Sequence, residues 1–313
     1  MIVPVYNEVD SLRTLHKAMQ TALQGYDYEL VYVDDGSSDG SWETLEQICG
    51  EDPERVRVVE FRRNFGQTAA IAAGIDFSHG DVIVLIDADL QEDPADIPML
   101  VQKIEQGYDV VSGWRRDRQD AFLTRTLPSR MANGLISWVT GVPLHDYGCT
   151  LKAYRREVLQ GFRLYGEMHR FIPAYAASIG ARMMEVPVTH RPRLHGKAKY
   201  GLERTFKVVL DLFTVKFLLS YAKKPIYLFG GVGALLGAGS LVVLGILVAR
   251  RVLLNEHMIR SPLLMMAMML FILGVQSVML GLIAELLVRT YHESQDKPTY
   301  TVRKVLGGRT AQP

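Results

Sequence analysis

Val82-Ile83-Val84-Leu85-Ile86-Asp87-Ala88-Asp89-Leu90-Gln91 is the stretch whose reading decides the fold. An unbroken apolar run rich in β-branched residues predicts a buried strand. In an open α/β sheet such a strand delivers its last residues to the carboxyl edge, where ligands bind. If the chain stays extended, Asp87, Asp89 and Gln91 fall on one side of it, because side chains alternate with a period of two. Two carboxylates and an amide oxygen make a hard-oxygen set suited to Mg²⁺ or Mn²⁺ shared with substrate phosphates. A solvated Asp-rich turn after a strand is the alternative that this stretch by itself leaves open.

Outward from it, strand and helix patterns alternate. Strands are expected at Ile2–Val5, Glu29–Asp34, Arg57–Phe61, Val82–Asp87 and Asp109–Gly113, with helices at Asp10–Leu23, Ser41–Cys49, Gln67–Phe77 and Pro94–Gln106. Asp39 is a candidate N-cap for the second helix, and Asp93, ahead of Pro94, for the fourth. Such alternation means an α/β fold with a mostly parallel, Rossmann-like sheet covered on both faces. The first strand is not followed by Gly-x-Gly-x-x-Gly, and there is no Walker lysine loop, so dinucleotide and ATPase readings lose their main signal.

The 313 residues carry a net charge of +1, which gives no bulk basicity for nucleic acid. Two cysteines, Cys49 and Cys149, point to reduced thiols rather than a disulfide framework. The mean hydropathy of +0.07 is high for a soluble enzyme, and the excess lies after residue 225. Residues 226–249 hold 24 positions without a charge and residues 262–284 another 23. Each exceeds the roughly 20 residues that span a hydrocarbon core, so a transmembrane hairpin is favoured over a pair of buried core helices. The flanks carry Lys216, Lys223, Lys224, Arg289, Lys297, Arg303 and Lys304, against Arg250, Arg251 and Arg260 in the loop. The positive-inside rule then puts residues 1–224 and the tail in the cytoplasm. The chain opens on a strand, so no secretory signal is expected.

Residues 123–141 and 201–224 alternate apolar and basic side chains at helical spacing. The second abuts Lys223-Lys224-Pro225 and is expected to lie in the headgroup layer; for the first, that reading and packing against the sheet both stand. The domain scheme that follows is a catalytic domain over 1–200, a juxtamembrane helix over 201–224, a hairpin over 225–288 and a cytosolic tail over 289–313.

Four signals fall in order at strand ends: Pro4-Val5-Tyr6-Asn7-Glu8, Asp34-Asp35-Gly36-Ser37-Ser38-Asp39-Gly40, Arg62-Arg63-Asn64-Phe65-Gly66 and Asp87-Ala88-Asp89-Leu90-Gln91. Together they resemble the GT-A-type inverting glycosyltransferases. Within them the chain is most similar to the polyprenyl-phosphate glycosyltransferases, which include dolichyl-phosphate mannose synthases and bacterial undecaprenyl-phosphate sugar transferases. The resemblance covers essentially residues 1–220, and many relatives also carry a C-terminal hairpin.

It implies transfer of a sugar from a nucleotide-diphosphate donor to a polyprenyl phosphate, with inversion, at the cytosolic face of a bilayer such as the bacterial inner membrane. Pro4, Tyr6, Glu8 and Asp35 would line the nucleotide pocket; a turn-stabilising role for Asp35 is the alternative. Asp89 and Gln91 would hold Mg²⁺ or Mn²⁺, with Asp87 on ribose or metal. Arg115 would lie near the donor diphosphate or the acceptor phosphate, and Arg130, Arg193 and Lys199 would meet the acceptor phosphate, since guanidinium groups bind phosphate bidentately. Solvent or anionic lipid is the other use open to Arg130 and Arg193.

Asp146 is the candidate acid beside the acceptor and, with Asp89 and Arg115, completes the catalytic set. Some relatives place an acid at the position of Cys149 instead, which leaves the identity of a base open. A phosphate monoester is largely ionised near pH 7, its second pKa being about 6, so Asp146 either abstracts a proton or only orients the acceptor. His169 and Arg170 are left outside the candidate set.

Two rivals are weaker. Processive polysaccharide synthases carry Gln-x-x-Arg-Trp, and none of Trp42, Trp114 and Trp138 follows an arginine. A non-catalytic scaffold has no need of the Asp87, Asp89, Gln91 set. Gly233-x-x-x-Gly237 lets helices approach closely in lipid, within the hairpin or between subunits. The strand-like tail Tyr300–Val302 lacks an obvious partner in the chain, so a homo-oligomer with an exchanged tail is expected.

Overall fold

The computed structural model describes residues 1–116, 133, 134, 136–138, 140–160, 164, 168–191, 226–254, 261–294 and 300–308. Arg130, Arg193, Lys199, the stretch 201–224 and most of 123–141 lie outside the described residues. The chain divides into two compact units, Met1–Val215 with Pro298–Pro313, and Lys216–Lys297.

The first unit is built on an alternating series: β1 (Ile2–Val5), α1 (Val9–Ala22), β2 (Leu30–Asp34), α2 (Ser41–Glu51), β3 (Val56–Phe61), α3 (Gln67–Phe77) and β4 (Val82–Leu85). A 3₁₀ turn at Pro94–Asp96 leads into α4 (Ile97–Glu105), then β5 (Val110–Trp114), β6 (Lys152–Arg155), α5 (Arg156–Leu159), a second 3₁₀ turn at Met168–Phe171, α6 (Ile172–Ser178) and β7 (Met183–Pro187). The last strand, β8 (Val302–Gly307), follows the second unit in sequence.

These strands form one sheet in the order β7-β5-β6-β4-β1-β2-β3-β8. The β1–β2, β2–β3, β1–β4 and β5–β7 pairs are parallel, while β6 and β8 run antiparallel to their neighbours. Every residue of β2 and β3 is buried, as expected of parallel strands covered on both faces. Helix α1 turns Leu12, Leu15, His16 and Met19 inward at helical spacing. The order reverses at β1, which lies between β2 and β4. That is the topological switch point, and the crevice at its carboxyl edge is where open α/β sheets bind ligands.

Two local expectations change. Strand β4 ends at Leu85, two residues early, because the chain turns at Ala88–Asp89 and Leu90 takes φ +60°. Asp87, Asp89 and Gln91 therefore do not form an extended row. Gly40, with φ +93°, occupies the N-cap of α2 in place of Asp39, which accepts from the amide and hydroxyl of Ser41 and from the Val9 amide. Asp93 does cap its turn, accepting from the Ala95 amide.

The tail also corrects the expectation of a missing partner. β8 pairs antiparallel with β3 of the same chain, from Arg57 opposite Gly307 to Phe61 opposite Val302. β3 presents an edge with open backbone groups, and the returning tail satisfies them. The pairing removes the ground on which an exchanged tail was expected.

The second unit holds α7 (Ile226–Leu254) and α8 (Pro262–Ser294), each continuing past its apolar span. Two spans, Phe229–Leu253 and Pro262–Ala284, are long and apolar enough to cross a membrane. Large apolar side chains such as Leu235, Leu241, Met265 and Phe271 are exposed on them, a surface that suits lipid rather than water. The helices meet at glycines: a Cβ on Gly233 would stand 2.7 Å from the Gly274 carbonyl oxygen and 2.6 Å from Val278 Cγ2. Ser240 and Ser277 donate across the pair to the carbonyls of Ala267 and Phe229.

Candidate active site

Three loops at the carboxyl edge are laced together by short polar side chains. After β1, Asn7 adopts φ +53°; its amide donates to Ser37 Oγ at 2.9 Å and its Oδ1 accepts from the Ser38 amide at 2.8 Å. The Glu8 amide donates to Ser41 Oγ at 3.0 Å. Gly36 lies against the third loop, where a Cβ would come within 2.6 Å of the Arg63 carbonyl carbon, so only glycine fits. The residues Pro4, Tyr6 and Glu8 thus sit on the same edge as Asp35. Tyr6 is more than a third exposed.

Asp35 grips the third loop. Its Oδ1 accepts from the Phe65 amide at 2.6 Å and its Oδ2 from the Gly66 amide at 2.9 Å. Burial pushes its carboxyl up to about 6, with Asp34 adding to the shift and the two amides and Arg63 opposing it.

Asp87 is held on both oxygens, Oδ1 by Gln67 Nε2 and Oδ2 by the Thr150 hydroxyl, each at 2.8 Å. Its carboxyl is pushed well above the ordinary range by burial, then by the charges of Glu92 and Asp89. Asp89 Oδ1 accepts from the Gln91 amide at 3.1 Å, and the Gln91 carbonyl accepts from the Arg191 amide. Non-glycine residues in the left-handed region, here Asn7 and Leu90, are uncommon and cluster at functional sites.

A divalent cation suits this corner. Among the described residues no three His, Cys, Asp or Glu side chains converge to form a complete protein cage. Mg²⁺ and Mn²⁺ at phosphate sites need only one or two carboxylates plus substrate oxygens. The charges of Glu92 and Asp89 acting on Asp87 are an accumulation that a cation relieves.

Arg115 and Asp146 form a fork: Nε to Oδ2 at 2.7 Å and Nη2 to Oδ1 at 2.9 Å. Burial opposes the Arg115 charge, but Asp146 outweighs it and holds the guanidinium ionised. The Gly148 amide also donates to Asp146 Oδ1. The same loop then delivers Thr150 to Asp87, so one short segment ties the carboxylate corner to the arginine.

Several residues outside the candidate set build this arrangement. Glu92, buried, accepts from the Thr150 amide at 2.9 Å and from Cys149 Sγ at 3.4 Å. Glu185 accepts from the His145 and Asp146 amides, and His145 stacks on Trp114 at 4.5 Å. Lys152, fully covered, donates to the carbonyls of Tyr147 and Cys149. The acidic run after Asp89 was a usable signal for Glu92; nothing local marks Glu185 or Lys152. His169 bonds Thr68 at 2.7 Å, a link between the second 3₁₀ turn and α3. Cys49 and Cys149 are buried free thiols.

Residues 1–162 match the model of glycosyl transferase family 2. The chain is 42% identical over 310 residues to the dodecaprenyl-phosphate galacturonate synthase of Rhizobium johnstonii, covering 97% of this chain and 92% of that one. It is 40% identical over 308 residues to the undecaprenyl-phosphate 4-deoxy-4-formamido-L-arabinose transferase of Edwardsiella ictaluri, covering 98% and 93%. In fold it is similar to glucosyl-3-phosphoglycerate synthase from Mycobacterium tuberculosis, solved with Mn²⁺ and uridine-diphosphate-glucose. There the TM-score is 0.51 at 18% identity, over 69% of this chain and 77% of that one. The fold and its switch-point site define a GT-A-type glycosyltransferase. The chain belongs to glycosyl transferase family 2, and its sequence relatives are polyprenyl-phosphate sugar transferases.

Proposed function

We propose that the protein transfers a sugar from a nucleotide-diphosphate donor to a polyprenyl phosphate at the cytosolic face of a membrane, with inversion and with help from Mg²⁺ or Mn²⁺. An oxygen of the lipid phosphate attacks the anomeric carbon as the bond to the nucleoside diphosphate breaks on the opposite face. The products are a polyprenyl-phosphate sugar and a nucleoside diphosphate. Pro4, Tyr6, Glu8 and Asp35 hold the nucleotide. Asp89, with Asp87 and Gln91, holds the cation, which when bound offsets charge gathering on the leaving diphosphate. Arg115 meets phosphate, and Asp146 orients it. The positive-inside balance of the flanks favours the cytosolic side.

The observation that carries this reading is the Thr150–Asp87 bond at 2.8 Å. It fastens the loop bearing Asp146, and through it the Arg115 fork, to the acidic corner at the switch point. Phosphate-binding and cation-binding chemistry thereby share one sheet edge, as transfer between two phosphate compounds requires. The test is incubation of the full chain in nanodiscs with undecaprenyl phosphate and a panel of labelled nucleotide sugars, galacturonate and 4-deoxy-4-formamido-L-arabinose donors included. A labelled lipid is expected from at least one donor, and its absence across the panel refutes the reading.

A further inference from the structure

Between the membrane hairpin and the chain's end, the tail enters the sheet beside the loop that holds Asp35. The Arg62 amide donates to the Thr301 carbonyl at 3.1 Å, where β8 begins. The register then slips, with Glu60 opposite Lys304 but Phe61 opposite Val302, so Arg303 is the extra residue of a bulge. Bulges re-aim side chains next to functional loops. Ahead of it, Tyr300 is buried, stacked on Phe61 with ring centroids 5.1 Å apart and planes 16° from parallel. Its hydroxyl donates to Asp76 on α3 at 2.7 Å. Phe61 in turn meets Phe65 edge-on at 5.6 Å, and the Arg63 guanidinium covers the other ring at 4.1 Å. The Phe65 amide is one of the two donors that clasp Asp35.

We propose that Tyr300 is a positioning residue for the donor nucleotide. Through Phe61 and Phe65 it fixes the loop whose amides orient Asp35, so the tail that follows the membrane hairpin forms part of the donor site. The inference rests on the nucleotide role given to Asp35 above. Fixing that loop matters because a base-binding carboxylate is useful only in one orientation. Two of the tail's other contacts, Arg303 to the buried Glu60 and Lys304 to the exposed Glu46, hold the strand without reaching the loop.

The test uses the full chain in nanodiscs with calorimetry of UDP and GDP in the presence of Mn²⁺. Failure of the wild type to bind either nucleotide refutes the donor-site reading itself. If it binds, Tyr300→Ala should weaken the nucleotide about ten-fold, the scale of a lost aromatic stack. It should also raise the donor KM while the acceptor KM stays unchanged. Tyr300→Phe, which keeps the stack, should recover most of the affinity. In an Asp35→Asn background, Tyr300→Ala should cost nothing further, since both act on one group. If Tyr300→Ala does not fold, Tyr300→Leu, which fills the site without a stacking ring, carries the same expectations. Unchanged affinity in a folded variant, additive losses in the double variant, or equal loss on donor and acceptor overturns the proposal.

Discussion

Arg115 and Asp146 are joined by two parallel hydrogen bonds of 2.7 and 2.9 Å, with side chains only 13% and 3% exposed. Considered separately, one is a candidate phosphate ligand and the other a candidate base or orienting group. Joined, they are a single unit in which the carboxylate fixes the plane of the guanidinium. Nε and Nη2 are engaged by Asp146, which makes the aspartate an orienting group before any proton moves. On the proposed reading, an orienting role suits a phosphate acceptor that arrives already ionised.

Breaking the fork should therefore cost both stability and acceptor use. Removing one member of a buried pair leaves an uncompensated charge, at about 3–5 kcal/mol. Arg115→Lys keeps the charge but not the two-pronged geometry. It should reduce transfer while calorimetric nucleotide binding stays nearly intact. Asp146→Asn should unfold at lower temperature and transfer poorly for the same reason. Equal loss of nucleotide binding and acceptor use would assign Arg115 to the donor diphosphate instead.

Metal dependence follows from the acidic corner. EDTA should abolish transfer, and Mn²⁺ or Mg²⁺ should restore it. Asp89→Ala should slow transfer by roughly 10²-fold or more, the scale of a removed electrostatic stabiliser. Isothermal titration of Mn²⁺ in the presence of UDP or GDP checks the binding step apart from turnover. Full activity of Asp89→Ala, or of metal-stripped protein, removes the cation from the mechanism.

Asp35 gives a pH dependence whose sign can be worked out. Its carboxyl is raised by burial to about 6 in the folded protein, whereas an unfolded aspartate titrates at about 4. The folded state therefore holds this proton more tightly. The group's contribution to stability is full below about pH 4 and is lost as pH rises through 6. Nucleotide affinity should move the opposite way, because an ionised carboxylate is the better acceptor for a base N–H. The difference in nucleotide affinity between wild type and Asp35→Asn, measured from pH 5 to 7.5, should widen with pH. A difference that stays flat would leave Asp35 as a loop fastener only.

The sequence made the strand ends legible because buried parallel strands advertise themselves as apolar runs, and the candidate site residues follow directly. It misjudged the geometry after β4, where the apolar run reaches Ile86 but the turn at Ala88–Asp89 and the left-handed Leu90 stop the strand at Leu85. It did not reveal that Arg115 and Asp146 bond to each other, because they stand 31 positions apart and no local pattern encodes such a meeting. Glu92 carries no local signal of its burial, yet that burial and its bonds to Cys149 and Thr150 make it the brace of the site. The tail was misread for a simpler reason: the edge of β3 that receives it lies more than 240 residues earlier, a separation only a folded chain reveals.

The membrane helices offer a contrast between two glycines of one motif. A side chain at Gly233 would press on Val278 and on the backbone of Gly274, while one at Gly237 would meet nothing within 4 Å. Close backbone approach of this kind drives helix association where lipid is as apolar as the side chains. Overpacking such a contact costs about 1–3 kcal/mol. Gly233→Leu should therefore lower the thermal stability of the detergent-solubilised protein, and Gly237→Leu should leave it nearly unchanged. Circular dichroism at 222 nm on heating reads the helices directly. The two variants melting together would place the motif's contact elsewhere, and a larger loss at Gly237 would point to a neighbouring subunit.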